Sequence, residues 1–171
     1  MCRGCGQKIA AKRVRLGEQV PNPFSDDGGL TTQWYHPVCG AYRRPEAFLE
    51  ALGTTTLEIE DRDALAHEAR LGITHRRAPR VHTAGLAPTG RATCRACKAL
   101  IEKDTWRIAL VFYEDGRFNP SGYIHAACAA AYIETTDLLP RIRHFSPELT
   151  DADIAALAVA LASWGTLAPP S

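Results

Sequence analysis

Two segments of the chain share one pattern: Cys2-Arg3-Gly4-Cys5 precedes His36-Pro37-Val38-Cys39, and Cys94-Arg95-Ala96-Cys97 precedes His125-Ala126-Ala127-Cys128. A Cys-x2-Cys pair is thus followed by a His-x2-Cys pair in each half, after 30 residues in the first and 27 in the second. Each of the six cysteines belongs to one of these pairs. The spacing therefore predicts two Cys3His metal sites.

Zinc is the metal that this ligand chemistry favours. Zn2+ binds four nitrogen or sulfur ligands in a tetrahedron, and four protein ligands leave no position for a reactive water. Both sites are thus predicted to be structural, with two Zn2+ per chain. The predicted ligands are Cys2, Cys5, His36 and Cys39 in the first half, and Cys94, Cys97, His125 and Cys128 in the second.

A disulfide framework is the alternative for an even number of cysteines in a small chain. It does not explain why a histidine stands three residues before each isolated cysteine. Reduced cysteines that bind metal also fit a reducing compartment. The pattern therefore favours zinc and a cytoplasmic protein, associated with the nucleoid if the source is bacterial.

Length and composition limit the possible classes of protein. The chain has 171 residues, of which 46% are hydrophobic and 23% charged, as in globular proteins. No apolar run approaches the ~18 residues of a membrane span, and the N-terminal residues lack the apolar core of a secretory signal. Two zinc ions and six thiolates would change the formal charge of +1 to about −1. Any attraction to nucleic acid must therefore come from local clusters of basic residues.

Each half also contains a predicted β-hairpin between its two ligand pairs. Arg15 and Arg107 each follow the second cysteine by ten residues, in segments that resemble strands. Acidic residues next to glycine at 26–29 and 114–116 are typical hairpin turns. The sequence thus predicts small α+β zinc-stabilised domains, two tandem zinc fingers, each with a short antiparallel hairpin or sheet and flanking helices.

A further helix is predicted near the end of each half. The first spans about Asp61–Leu71, with Gly72 as its C-cap. The second begins with a capping box formed by Thr150 and Asp153 and ends at Gly165. A unit of ~75 residues has a small hydrophobic core, so a metal ion would add needed stability.

The predicted domain boundaries are 1–75 for the first finger, 76–90 for a basic Pro/Gly linker, 91–166 for the second finger and 167–171 for a tail. Between residues 69 and 101 the chain has seven Arg or Lys and no acidic residue. Such a run is commonly a solvated linker, and it also suits a tether that follows phosphates. We favour the second interpretation because the run continues into the second Cys-x2-Cys pair.

These motifs resemble the zinc finger of poly(ADP-ribose) polymerases, a type also found in a eukaryotic nick-sealing DNA ligase. The resemblance rests on the ligand types, the long gap between ligand pairs and the residues that flank them. In the second half it is carried by 90–97, 101–109 and 123–128, and in the first by Cys2-x2-Cys5, Arg15, Trp34-Tyr35-His36 and Cys39. It covers nearly the whole chain, but nothing in the chain resembles a catalytic domain of either enzyme.

The resemblance implies binding to DNA breaks, nicks and ends rather than to base sequence. Phosphate-contacting arginines are implied at Arg91 and Arg107, and at Arg15 with its neighbour Arg13. Apolar residues that stack on the base pair exposed at a break are implied at Phe24 and Leu30, and at Tyr113 and Phe118. The first half begins at Met1-Cys2 and has no counterpart of Arg91, so fewer of its residues match the DNA contacts that the resemblance implies.

Ordinary packing is the alternative for the four proposed stacking residues, because an aromatic residue on a hairpin commonly fills space across strands. We expect the tryptophans to lie in the core, since they lie beside ligands or on the last helix. These residues are Trp34, Trp106 and Trp164.

We therefore predict a non-enzymatic protein that recognises DNA strand breaks and acts in DNA repair, with repair enzymes as further partners and no membrane association. The alternative is a zinc-stabilised protein-interaction module. A zinc deaminase would need a His-x-Glu pair and an open zinc position, and neither His36 nor His125 is followed by such a glutamate.

Overall fold

A computed structural model of the chain describes residues 1–22, 25 and 28–163. These residues form two compact units. The first comprises Met1–Pro79 together with Tyr113–Asn119, and the second comprises Arg80–Phe112 together with the described residues from Pro120 onward.

The first unit contains a two-stranded antiparallel sheet followed by three helices. Strand β1 (Leu16–Pro21) pairs with β2 (Leu30–Tyr35) so that Leu16 lies opposite Tyr35 and Pro21 opposite Leu30. The helices are α1 (Pro37–Arg43), α2 (Pro45–Thr54) and α3 (Arg62–Thr74). Proline occupies the first turn of both α1 and α2, where its missing N–H costs no helical hydrogen bond.

The core of the first unit lies between the sheet and its helices. Alternation along β2 buries Gln33 and Tyr35, and Tyr42 of α1 and Phe48 of α2 are buried as well. Other buried apolar residues of this unit are Leu16, Val20, Ala41, Leu52, Leu65, Ala66 and Ala69. This packing holds α1, which carries one of the predicted zinc ligands, against the sheet.

Helix α3 extends beyond its predicted end. Gly72 was predicted to cap it, but the helix continues to Thr74 and Gly72 is buried inside it. A Cβ atom at this position would lie 3.3 Å from the Pro45 side chain and 3.4 Å from that of Pro79. Glycine is thus explained here by close packing rather than by helix termination.

The second unit contains a three-stranded sheet in the order β3-β4-β5. Strand β3 (Val81–Leu86) pairs antiparallel with β4 (Trp106–Glu114), and β5 (Arg117–His125) follows β4. A 3-10 turn, Ala126–Cys128, leads into three helices. These are α4 (Ala129–Ile133), α5 (Leu139–Phe145) and α6 (Asp151–Ala162).

Helices α5 and α6 enclose the core of the second unit. The largest fully buried apolar side chains of this unit come from the sheet, from α4 to α6 and from the segments that precede β4 and α5. They are Val81, Ile101, Ile108, Leu110, Ile124, Ile133, Leu138, Ile142, Leu157 and Leu161. The sheet therefore forms one wall of the core and the helices form the other.

The segment 76–90, predicted as a linker, is ordered as part of the fold. Ala78–Arg80 form a 3-10 turn and Val81–Leu86 form the sheet strand β3, with Gly85 opposite Arg107. Val81 is fully buried and Ala84 nearly so. This strand is hard to recognise in the sequence because proline, glycine and arginine lie in and around it, and because its partner residues on β4 lie 20 to 29 residues downstream. The domain boundaries at 75, 90 and 166 remain a prediction.

Two local predictions are confirmed in their backbone detail. Asp115 and Gly116, which join β4 to β5, both have positive φ angles, as a two-residue hairpin turn of the primed type requires. Thr150 caps α6: its hydroxyl accepts a hydrogen bond from the N–H of Asp153, whose carboxylate accepts one from the N–H of Thr150. The predicted end of this helix at Gly165 lies outside the described residues.

The predicted fold class is confirmed: this is a small α+β structure with two antiparallel sheets, flanking helices and two Cys3His clusters. In the described part of the chain, every helix is too short or too polar to span a bilayer.

Candidate metal centres and nucleic-acid interface

The eight predicted ligands form two separate clusters. In the first, one ligand atom from each of Cys2, Cys5, His36 and Cys39 lies within 4.8 Å of every other. The same limit holds for Cys94, Cys97, His125 and Cys128. All six cysteines are free of disulfide bonds, which argues against the disulfide alternative.

The distances within the clusters fit a tetrahedral zinc ion. Zn–S bonds of ~2.3 Å and Zn–N bonds of ~2.0–2.1 Å place neighbouring sulfur and nitrogen ligands about 3.6 Å apart. His36 Nδ1 lies 3.5 Å from Cys5 Sγ and 3.9 Å from Cys39 Sγ. His125 Nδ1 lies 3.4 Å from Cys97 Sγ and 3.8 Å from Cys128 Sγ. Each cluster could therefore hold one metal ion through three thiolates and an imidazole Nδ1.

Short-range backbone structure shapes each Cys-x2-Cys turn in the same way. The residue after the second cysteine has a positive φ, 75° at Gly6 and 65° at Lys98, and its N–H donates to the carbonyl of the first cysteine at 2.9 Å. In the first turn a Cβ atom on Gly4 would lie 2.8 Å from Cys39 Cβ. The chain thus needs glycine where this turn approaches helix α1.

The histidine ligands also share one backbone conformation. His36 and His125 are both extended, with φ of −60° and ψ of 149° and 145°, and each stands directly before a helical turn. The N–H of each donates to the sulfur of the first cysteine, Cys2 or Cys94, at 3.3 Å. These N–H···S bonds stabilise negative charge on sulfur, as a thiolate ligand needs.

His125 has the orientation of a metal ligand with an outer partner. Its Nδ1 faces the sulfurs, while its Nε2 lies 3.2 Å from the carbonyl oxygen of Leu100. A carbonyl can only accept, so it selects the tautomer with the proton on Nε2 and the lone pair on Nδ1. Outer-shell partners of this kind fix the ring of a zinc-ligating histidine.

The cysteine thiols within each cluster shift one another's pKa. The hydrogen bond from Cys39 lowers the pKa of Cys2 to about 4, whereas that same bond and burial raise the pKa of Cys39. Burial, reinforced by the charge of neighbouring cysteines, raises the pKa of Cys128 to about 12. Neighbouring thiolates repel each other, and a bound divalent cation offsets this repulsion because it favours the thiolate form of every cysteine in the cluster.

Beside the first cluster, Arg15 stacks on an aromatic ring. Its guanidinium carbon lies 3.9 Å from the centroid of the Trp34 ring. Gly17 stands opposite Trp34 in the sheet, and a Cβ atom there would lie 2.7 Å from that ring. The ring can lie over the strand because position 17 has no side chain. The prediction of Trp34 as a core residue is wrong, since 37% of its surface is exposed.

The second unit repeats this arrangement. The Arg107 guanidinium carbon lies 3.9 Å from the centroid of the Tyr123 ring. Tyr123 precedes its histidine ligand by two residues, as Trp34 does, and Trp106 is only half-buried. A guanidinium above a ring has one covered face and keeps its in-plane N–H donors directed outward, which suits phosphate.

The other predicted DNA contacts have varied surroundings. Arg91 is exposed, and Arg13 is exposed with only a long contact of 3.9 Å to the carboxylate of Glu60. Leu30, the first residue of β2, is 63% exposed. Phe24 lies outside the described residues.

Tyr113 and Phe118 contact side chains of the first unit, to which they belong. Their rings pack together with centroids 4.9 Å apart. The guanidinium carbon of Arg44 lies 4.1 Å from the Tyr113 centroid, and that of Arg43 lies 5.3 Å from the Phe118 centroid. Both rings are half-buried. Stacking on DNA, as predicted for them, would require these contacts to open.

Sequence reasoning missed the residues that surround this aromatic pair. Gln33 is buried, and its Oε1 accepts hydrogen bonds from the hydroxyls of Tyr35 and Tyr113. Arg44 forms a two-point ion pair with Glu18, with N···O distances of 2.7 and 2.5 Å. No local sequence signal could have identified Gln33. Arg44 and Glu18 carry opposite charges, but only the fold brings the two side chains together.

Part of this sequence is similar to poly [ADP-ribose] polymerases of vertebrates. Poly [ADP-ribose] polymerase 1 from Gallus gallus is 37% identical over 71 residues, that from Xenopus laevis 34% and that from Danio rerio 31%. Each alignment covers 37% of this chain and 7% of the polymerase, so the chain matches only a small part of these relatives. No protein-family model matches the sequence.

The partial similarity and the two Cys3His clusters together suggest a zinc finger of the poly(ADP-ribose) polymerase type.

Proposed function

We propose that the chain is a non-enzymatic protein that binds two zinc ions and recognises DNA strand breaks by their structure. The observation that carries the proposal is the repeated stack of an arginine on an aromatic ring, Arg15 on Trp34 and Arg107 on Tyr123, each beside a Cys3His cluster. The similarity to part of poly [ADP-ribose] polymerase 1 supports it.

In this proposal the arginines bind phosphate. Arginine stays charged and donates two parallel hydrogen bonds to one phosphate, and its stacking partner restricts the guanidinium before DNA arrives. Arg13 and Arg91, both exposed, add further contacts. Phosphate contacts position the protein on the duplex but do not distinguish a broken from an intact strand.

Preference for a break needs apolar groups that cover an exposed base pair. Leu30 is available for this because most of its side chain is exposed, and Phe24 is its proposed partner. In the second finger Tyr113 and Phe118 would act once released from Arg44 and Arg43. Base stacking contributes about 1–3 kcal/mol per base in single-strand binding, which corresponds to a preference of roughly fivefold to more than a hundredfold.

Each zinc is proposed to be structural. Three thiolates and an imidazole complete a four-ligand shell, so the ion would hold the Cys-x2-Cys turn against the histidine-bearing segment. We also propose a cytoplasmic location, with nucleoid association if the source is bacterial, and repair enzymes as further partners.

A binding comparison among nicked, gapped, blunt-ended and covalently closed duplexes of equal length tests the proposal. Nicked or gapped DNA should bind several-fold more tightly than closed duplex at physiological salt. Arg15→Gln and Arg107→Gln should weaken binding to all DNAs, whereas Arg143→Gln, which removes an exposed arginine paired with Asp151, should not. Equal affinity for nicked and closed duplex would refute break recognition.

A protein-interaction module is the second candidate, and one groove of the first unit favours it. The exposed Leu57 and Val14 stand at its rim, with Phe48 and Leu52 below. If a repair enzyme binds this groove, Leu57→Asp should abolish that complex and leave DNA affinity unchanged.

A further inference from the structure

Two arginines of the second unit converge on one hydroxyl group. Arg80 Nη2 donates to Ser121 Oγ at 2.9 Å, and Arg95 Nη1 donates to the same oxygen at 3.3 Å and to the Ser121 carbonyl at 2.8 Å. Ser121 is only 6% exposed, whereas Arg80 is half-buried and Arg95 exposed. A buried oxygen thus fixes two cationic groups at the protein surface.

Neither positive charge is neutralised within the described part of the chain. The salt bridges found there involve other basic residues, and Arg80 otherwise donates only to the carbonyl of Val111 at 3.4 Å. Two adjacent guanidinium groups repel each other, and an anion between them removes that repulsion. Each group has five N–H donors, so most donors of both remain available.

The cluster lies next to one of the proposed phosphate-binding arginines. Ser121 and Tyr123 are two residues apart on β5, and the N–H of Arg95 donates to the Tyr123 carbonyl at 2.8 Å. Tyr123 supports Arg107. Arg80, Arg95 and Arg107 are therefore all held by two alternate positions of β5, Ser121 and Tyr123.

We infer that Arg80, Arg95 and Ser121 form an additional site for one backbone phosphate of DNA. The inference rests on the proposed DNA binding but not on the preference for breaks. The site would extend the path of the bound DNA strand from Arg107 towards the Cys94-x2-Cys97 turn. Its chemistry is that of a charge-assisted fork from two guanidinium groups onto one phosphate.

A purely structural role for these arginines makes a different prediction, and salt dependence separates the two. Neutralising one phosphate changes the slope of log affinity against log salt by about 0.9. We would measure binding of nicked and intact duplex by fluorescence anisotropy from 50 to 200 mM KCl for the wild type, Arg95→Gln, Arg95→Lys and Arg80→Gln/Arg95→Gln. Arg143→Gln is the control, because Arg143 is an exposed arginine of the same unit whose charge is already paired.

The double variant should bind both DNAs more weakly and lose about 0.9 from the slope, while Arg95→Lys keeps the slope near that of the wild type. Wild-type slopes in a double variant that retains two zinc ions would overturn the inference, even if nicked DNA is still preferred. A reduced slope with equal binding of nicked and intact duplex would support this site and refute break recognition. If the double variant loses zinc or unfolds, the folded Arg95→Gln decides, and an unchanged slope for it overturns the inference.

Discussion

The side-chain amide of Gln33 donates a hydrogen bond of 2.8 Å to the carbonyl of Gly116, although 83 residues separate them in the chain. This bond ties the two-residue turn between β4 and β5 to strand β2 of the first unit. Gln33 uses its other end as well, because its Oε1 accepts from Tyr35 and Tyr113. One buried side chain thus satisfies three polar groups.

Replacing Gln33 by alanine should destabilise the protein by about 1–3 kcal/mol, the usual cost of leaving a buried polar group unpaired. Burial raises the pKa of Tyr35, so its hydroxyl stays protonated and needs an acceptor. Urea unfolding in the presence of zinc measures the change. Gln19→Ala, an exposed glutamine on β1, is the control and should alter the free energy of unfolding by less than about 0.5 kcal/mol. Equal effects of the two substitutions would contradict this role.

Substituting Gly17 by alanine should displace the Trp34 ring, since the new methyl group would lie 2.7 Å from it. Arg15 would then lose its stacking surface, and we expect weaker DNA binding without loss of zinc. The matched control is Gly85→Ala, where a Cβ atom meets nothing within 4 Å opposite Arg107. Tryptophan fluorescence and DNA affinity should change in the first variant alone, and a shift of both variants together would argue against the steric explanation.

Removing zinc should unfold the metal-bearing regions, because their small cores depend on the ligands being held together. Chelation should release two zinc ions per chain, measured by elemental analysis, with loss of near-ultraviolet circular dichroism. His36→Ala should retain about one ion, while His67→Ala, which changes an exposed histidine outside the clusters, should retain two. A chelated protein with unchanged dichroism would show that metal is not structural.

The capping box of α6 predicts a pH effect. Hydrogen bonds from the Thr150 hydroxyl and then from its backbone N–H lower the pKa of Asp153. Because the folded pKa lies below the unfolded one, the carboxylate stabilises the fold above its ordinary pKa of ~3.9, and this contribution disappears as the pH falls through the folded pKa. Thr150→Ala should raise the pKa of Asp153 towards that ordinary value, as followed by carboxyl NMR titration.

The stability difference between wild type and Thr150→Ala should therefore shrink as the pH falls below about 4. Comparing the two proteins at each pH cancels any acid-driven loss of metal common to both. Glu148→Gln, at an exposed carboxylate before the helix, should show no such dependence. A difference that grows on acidification would have the wrong sign for this mechanism.

The features that could be predicted from the sequence are those whose structure follows from the chemistry of a few residue types. The metal clusters follow from cysteine and histidine spacing, the primed turn from Asp115-Gly116, and the start of α6 from Thr150 and Asp153. In each case few conformations suit the residue types involved. The turn and the helix cap form without help from distant parts of the chain. The metal clusters join ligand pairs that are 30 and 27 residues apart, but cysteine and histidine are recognisable as zinc ligands across such gaps.

The features that sequence reasoning missed depend on distant partners. Strand β3 is recognisable only when β4 is beside it, and the exposure of Trp34 depends on the missing side chain at Gly17 across the sheet. The surroundings of Tyr113 depend on Gln33, some 80 residues earlier. Helix α2 was also missed, because it follows α1 after one residue and its start at Pro45 resembles a break.

The edge position of β3 affects how the chain can be divided for study. A fragment that starts at Arg91, where the second zinc motif begins, would lack β3 and leave unpaired the amide and carbonyl groups of β4 that bond to β3. Bare strand edges promote self-association between copies. Recombinant fragments of the second half should accordingly start no later than Arg80, so that Val81–Leu86 remain paired with β4 and cover its edge.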